Sequence, residues 1–280
     1  MNEFYEFRLY ERYAVRILPD NKGVRLGAGS VSIRLLRVSS EDELIKEIPK
    51  LEIKEQRGIF SAWKVYRKYS RKEIESAQLF HLSIARTFEP AGEECGTLYD
   101  EASACPICGS GAKQVTSLLL PRKRIPSSQD ISRTIAGEMV VSRRVKDLFA
   151  RHGITGADFS PIRFAGRSQS DSTDWFQLMV HGTLVDVSPR TRVGIDPFDE
   201  DKEGEYRCSG GDLIGLNLLT EVSISSNTPD EADIFVTRQF VGDRRGLLRP
   251  ERIVLISRKL HTLITSEKLK GFKFEVAHLD

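Results

Sequence analysis

Ser142-Arg143-Arg144-Val145-Lys146-Asp147-Leu148-Phe149 aligns without a gap on Ser257-Arg258-Lys259-Leu260-His261-Thr262-Leu263-Ile264. The register continues past both stretches: Ile154 meets Leu269, Gly156 meets Gly271 and Phe159 meets Phe274. Over the 18 positions from 142 to 159, five residues are identical and four more are conservative. A match of this kind at a fixed offset signals a duplicated structural unit. Each copy reads as an apolar run, a serine that can cap a helix, apolar residues at helical spacing, a glycine turn and a strand. Val140, Val141, Val145, Leu148 and Phe149 also fit one longer helix, but strand–helix–strand is the preferred reading.

Between the copies the text is β-rich, at Trp175 to Val180, Gly215 to Leu219 and Asp233 to Val236. Before them, strands are predicted at Phe4 to Tyr10, Val31 to Leu36, Phe60 to Tyr66 and Leu79 to Ile84. Helices are predicted over Glu41 to Glu47, capped by Ser39 or Ser40, and over Arg71 to Ala77. Leu118 to Ser128, with two prolines, a basic triplet and a serine pair, reads as a linker. The predicted fold is α+β, with mixed sheets covered by a few helices. The predicted organisation is an α+β segment over 1–90, a cysteine knuckle over 91–115 and a duplicated α+β domain over 116–280.

The knuckle is Cys105-Pro106-Ile107-Cys108-Gly109, preceded by Cys95-Gly96 and joined from far away by Cys208 in Arg207-Cys208-Ser209-Gly210-Gly211. Two sulfurs on one glycine-ended turn can bind a single ion, and zinc takes four such ligands in a tetrahedron. Cys95, Cys105, Cys108 and Cys208 are therefore the candidate ligands of one structural Zn²⁺, with His81 or water as the alternative fourth ligand. A redox role for the CxxC pair needs a helix start to lower the thiol pKa. Here the loop-like Gly109-Ser110-Gly111 follows instead.

Other constellations are weaker. Asp199, Asp201, Glu203 and Gly204 imitate the start of a calcium loop, but position 12 falls on Gly210 where a bidentate glutamate is needed. Asp20 with Glu52 and Lys54 could make a nuclease-like magnesium site, except that Asp20 falls in a predicted hairpin turn. Ser172, His181 and Asp186 lack a nucleophile elbow. No glycine-rich phosphate loop is present. The basic clusters at Arg122-Lys123-Arg124, Arg143-Arg144 and Arg244-Arg245 read as solvated faces.

Composition limits the rest. In 280 residues, 40% are hydrophobic and 29% charged, with a net charge of +2. That balance disfavours a dedicated nucleic-acid binder, which carries a concentrated basic excess. No apolar run approaches the ~20 residues needed to span a bilayer. Met1 to Glu6 has neither a basic nor an apolar leader pattern, so a cytoplasmic location is expected. Thiols remain reduced there, which favours metal over disulfides.

The segment Cys95-Gly-Thr-Leu-Tyr-Asp leading into Ala104-Cys105-Pro-Ile-Cys108-Gly resembles the double-CxxCG proteins best known from myxobacteria. The Val-Ser-Arg-x-x-Lys-x-Leu element with its glycine turn and phenylalanine-bearing strand resembles segments of bacterial polymorphic-toxin immunity families. The resemblance spans roughly residues 90 to 280. The chain departs from the pattern at Cys208, which stands alone where a second CxxCG would be. The resemblance implies a cytoplasmic bacterial protein without catalysis that binds a cognate protein toxin and protects the producing cell. Asp199, Asp201 and Glu203, in the acidic stretch, are the candidate partner contacts. A zinc-supported nucleic-acid-binding module and a metal-dependent nuclease are the alternatives.

Overall fold

The computed structural model describes residues 1–19, 22–27, 32–55, 58–166, 170–194, 197–198, 206–215, 217–225 and 232–280. The chain forms two compact units. Met1–Ser76 with Asp196–Glu200 make the first, and Ala77–Ile195 with Asp201–Asp280 make the second.

The first unit contains β1 (Asn2–Tyr10), α1 (Glu11–Ile17), β2 (Val24–Leu26), β3 (Ile33–Ser39), α2 (Leu44–Glu55), β4 (Phe60–Lys68) and α3 (Arg71–Ser76). Its four strands lie in the order β2-β3-β1-β4, all antiparallel. Period-2 burial sends Phe7 and Leu9 of β1 and Leu36 and Val38 of β3 into one core with Tyr13 and Ala14 of α1 and Ile48 and Leu51 of α2. Phe198 stacks on Phe7 with ring centroids 5.7 Å apart, which draws residues 197–198 into this unit. The second helix starts later than expected, because the Asp42 carboxylate accepts the Leu44 amide at 3.0 Å. It continues through Pro49, since Ile48 and Leu51 on either side are buried.

The second unit contains β5 (Leu79–Ile84), β6 (Thr87–Phe88), β7 (Tyr99–Asp100), β8 (Lys113–Gln114), β9 (Leu119–Leu120), β10 (Ile131–Thr134), β11 (Met139–Ser142), α4 (Arg143–Arg151), β12 (Ala157–Phe164) and β13 (Asp171–Val180). It continues with β14 (Leu184–Val185), β15 (Val193–Gly194), β16 (Asn217–Leu218), β17 (Val222–Ile224), β18 (Ile234–Val241), β19 (Glu251–Ser257), α5 (Arg258–Ser266) and β20 (Phe272–Leu279). The first unit ends at Ser76 rather than near residue 90, because β5 pairs with both β19 and β20. The stretch expected as a linker is instead structural. Leu118, Leu119, Leu120 and Ile125 are buried, and β9 runs parallel to β12. Apolar burial at these four positions outweighs the turn character of the two prolines.

Two six-stranded sheets dominate, in the orders β6-β10-β11-β13-β12-β9 and β14-β18-β19-β5-β20-β17. The sheets have the same pairing pattern. The four inner strands are antiparallel and both outer strands are parallel to their neighbours. Registers also correspond. Val141 faces Phe176 and Ile131, whereas Ile256 faces Phe80 and Ile234. Each sheet has one strand–helix–strand connection, β11-α4-β12 and β19-α5-β20. Val145, Leu148 and Phe149 are the buried face of α4, and Leu260, Leu263 and Ile264 that of α5. The central strand is the exception to sequence order. In the first sheet it is β13, after the helix, but in the second it is β5, from near the start of the unit.

Candidate metal centre

Cys105-Pro-Ile-Cys108-Gly forms a tight turn in which the Gly109 amide donates to the Cys105 carbonyl at 2.8 Å and the Cys105 amide donates to the Ser110 carbonyl at 2.7 Å. Gly109 has φ +74°, and a Cβ there would lie 2.6 Å from Cβ of Arg244, so glycine is required. A second turn, one residue shorter, surrounds Cys208. The Gly211 amide donates to the Cys208 carbonyl at 2.9 Å, and the Cys208 amide donates to the Asp212 carbonyl at 3.0 Å. The two turns are brought together by the strand end that follows β18. Leu213 donates to the Phe240 carbonyl at 2.8 Å, and Arg244 donates to the Cys108 carbonyl at 2.9 Å.

The result is a sulfur cluster. The Sγ atoms of Cys105, Cys108 and Cys208 all lie within 4.8 Å of one another. Cys108 and Cys208 are buried and their sulfurs are 3.9 Å apart. Three thiolates around a zinc ion at about 2.3 Å would have edges of about 3.8 Å. The spacing therefore suits a metal, and the three cysteines are close enough to bind one. Backbone amides of Cys108 and Ile107 point at the Cys105 sulfur and hold its pKa below the ordinary thiol value. Burial pushes the Cys108 thiol up to about 11. A metal has to replace that proton, as coordination by thiolate requires.

Cys95 is not in the cluster. It ends a short 3-10 turn, Glu93–Cys95. Burial raises its thiol pKa, and the carboxylates of Glu94 and Glu138 raise it further. The structure places Cys95 outside the group of three sulfurs that it was expected to join. Its segment is instead fixed by polar contacts. Glu138 accepts the Tyr99 hydroxyl at 2.7 Å and the Gly92 amide at 3.1 Å. Arg249 lies 4.0 Å over the Tyr99 ring and donates to Glu93 and Glu101 at 2.8 Å each. The Glu138 contacts fasten residues 92–101 to the turn before β11, and the Arg249 contacts fasten them to the loop that also carries Arg244.

One acidic neighbour had no sequence signal beyond its spacing. Asp212 Oδ2 lies 3.6 Å from Cys108 Sγ and 3.9 Å from Cys208 Sγ. Ser110 donates to the same oxygen at 2.6 Å, while Oδ1 accepts the Phe240 amide at 2.9 Å. In sequence it is only the residue four beyond Cys208, in Cys208-Ser-Gly-Gly-Asp212.

The remaining sequence-level candidates scatter. Asp199, Asp201 and Glu203 lie outside the described residues, as does Asp20. Ser172 is buried and accepts the amides of Asp174 and Trp175, which makes it a turn residue. His181 pairs with Asp158, and Asp186 with Arg238 and Gln239, so no triad forms among these three. His81 sits in β5 and is not in the cysteine group. Among the described residues, no helix is long and apolar enough to cross a membrane. No protein-family model matches the chain, and no curated protein matches it.

Proposed function

We propose that this chain is a cytoplasmic, non-catalytic immunity-type protein of bacteria that carries a structural zinc and neutralises a cognate protein toxin by binding it. The observation that carries this reading is the buried sulfur cluster joining residues a hundred positions apart, Cys108 and Cys208. Three thiolates more than cancel the charge of a divalent zinc and weaken it as a Lewis acid. Two of the sulfurs are buried, which suits a staple better than a reaction centre. A stapled body with fixed loops is what a preformed binding surface needs, because rigidity lowers the ordering cost of association.

The body itself reads as a duplication with exchanged strands. One unit would run from β5 through β12 and the other from β13 through β20. Each gives its first strand to the partner's sheet, so that β13 completes the first sheet and β5 the second. The matching registers of the two sheets support this reading.

Co-expression in bacteria with the neighbouring gene tests the function. Rescue from that gene's toxicity is expected, and it should be lost when Asp199, Asp201 and Glu203 are all changed to Ala in a protein that still folds. A neighbour that is harmless alone, or nuclease activity of the purified protein that disappears with Glu52→Ala, overturns the immunity reading.

A further inference from the structure

We infer that the metal centre is a three-cysteine, one-aspartate site in which Asp212, not Cys95, supplies the fourth ligand. This rests on the metal reading of the cysteine cluster. The argument is geometric. A carboxylate oxygen at about 2.0 Å and a sulfur at about 2.3 Å on one tetrahedral zinc stand about 3.5 Å apart. Asp212 Oδ2 is 3.6 Å from one buried sulfur and 3.9 Å from the other, close to that edge length on the Cys108–Cys208 side of the cluster. Cys105 lies within 4.8 Å of both buried sulfurs while Asp212 stands outside that group, so on this proposal ion binding would draw Cys105 and Asp212 together.

The carboxylate is also held as a ligand should be. Ligating carboxylates are themselves hydrogen-bonded, which fixes their orientation. Ser110 donates to Oδ2 from within the first turn, and the Phe240 amide donates to Oδ1 from the end of β18. A two-turn site then emerges, with Cys105 and Cys108 from one turn and Cys208 and Asp212 from a second turn whose hydrogen bonds span one residue fewer. The second turn thus delivers a carboxylate from Asp212, one residue beyond Gly211, the position of the second sulfur in a CxxCG repeat. With zinc the site would carry a formal charge of −2 from three thiolates and one carboxylate. The donor set selects a borderline-soft divalent ion such as zinc over magnesium or calcium, which prefer all-oxygen shells.

X-ray absorption on the zinc-loaded full chain tests the assignment. The expected shell is three sulfurs at about 2.3 Å and one oxygen at about 2.0 Å. Asp212→Cys should convert it to four sulfurs, a change that a merely structural aspartate would not produce. Asp212→Asn, which can keep the Ser110 and Phe240 contacts, should weaken zinc binding at least as much as the 10–100-fold typical of losing a supporting residue. Cys95→Ser should leave shell and affinity unchanged. A four-sulfur wild-type shell, loss of zinc on Cys95→Ser, or an unchanged shell in Asp212→Cys overturns the assignment while leaving the metal reading intact. A folded wild-type protein that takes up no zinc overturns both.

Discussion

Asp130 holds in one six-stranded sheet the place that Asp233 holds in the other. Each accepts the hydroxyl of the serine that begins a helix, Ser142 at 3.1 Å and Ser257 at 2.8 Å. Each also accepts a backbone amide from the helix–strand turn of the opposite sheet, Lys270 at 2.9 Å and Thr155 at 3.3 Å. A basic residue from the first turn of the helix faces each carboxylate, Arg144 at 3.8 Å and Lys259 at 2.8 Å. The two carboxylates therefore tie the sheets to one another in both directions.

Asp233 is the stronger tie, since it is the more buried and pairs more closely with its cation. Its serine also caps α5 through the Leu260 amide, whereas Ser142 makes no such bond. Changing either aspartate to Ala removes charge-assisted hydrogen bonds from partly buried serines and should cost about 1.5–3 kcal/mol. Urea denaturation should show the larger loss for Asp233→Ala. Equal losses, or a larger one at Asp130, would count against this ranking.

The turns that receive those carboxylates make a sharper prediction. A Cβ on Gly156 would stand 2.0 Å from the carbonyl oxygen of Ile234, and one on Gly271 would stand 2.1 Å from that of Ile131. Both have φ near +100°, at +96° and +101°. Gly156→Ala and Gly271→Ala should each cost more than the roughly 1–2 kcal/mol of left-handed backbone alone. Gly153→Ala is the control. Its φ is +57° but nothing lies within 4 Å of its Cβ position. Thermal melts should separate the first two from the third, and similar shifts for all three would defeat the close-approach argument.

The helices and their flanking strands were legible because Val145, Leu148, Leu260 and Leu263 keep a helical period between runs that alternate or are wholly apolar. Gly156 and Gly271 carried the turn signal. That β13 lies between β11 and β12 while β5 lies between β19 and β20 was not legible, because strand partners are chosen by long-range pairing. Leu118 to Leu120 were misread because prolines and serines flank a buried strand only two residues long. The seven-residue α1 left too short a period to recognise, although Tyr13 and Ala14 bury its face. At the metal centre, the CxxCG pair carried its own geometry, and Cys208 followed from chemistry. Cys95 was drawn in by sequence proximity, whereas Asp212 reaches the sulfurs through the Leu213–Phe240 backbone bond and the Phe240 amide that donates to its carboxylate, which spacing alone does not reveal.

Metal removal provides the third prediction. Protein purified without chelator should contain about one zinc per chain, and a strong chelator should lower its melting temperature, because the bound ion contributes folding energy. Cys105→Ser, Cys108→Ser and Cys208→Ser should each reproduce the chelated state, while Cys95→Ser should not. Acid should release the ion, since each ligating sulfur must be deprotonated. Elemental analysis across a pH titration measures this, and a zinc content that stays constant into strong acid would contradict thiolate ligation.

The last prediction concerns the first unit and acid. Glu11, at the start of α1, is buried against Arg34 of β3, whose Nε donates to it at 3.0 Å and whose Nη2 donates to its other oxygen. That pairing, hydrogen bond first, holds the Glu11 carboxyl below its ordinary value of 4.5 despite the opposing effect of burial. A carboxylate with a depressed folded-state pKa is protonated more readily in the unfolded chain. Its stabilising effect is therefore complete above the ordinary value and is lost as pH falls through the depressed one. The wild type should lose stability in the first unit below about pH 4.5. Glu11→Gln should flatten that part of the pH profile and be destabilised at neutral pH, because the buried Arg34 guanidinium loses the carboxylate charge facing it. Breaking such a pair costs about 3–5 kcal/mol, whereas replacing both members with apolar residues of similar volume costs far less. The double variant Glu11→Leu/Arg34→Met should therefore recover most of the loss. Hydrogen exchange at the β1–β3 amides, followed from pH 7 to pH 3, reads the first unit separately. A Glu11→Gln profile parallel to the wild type throughout would show that this pair does not set the acid limit.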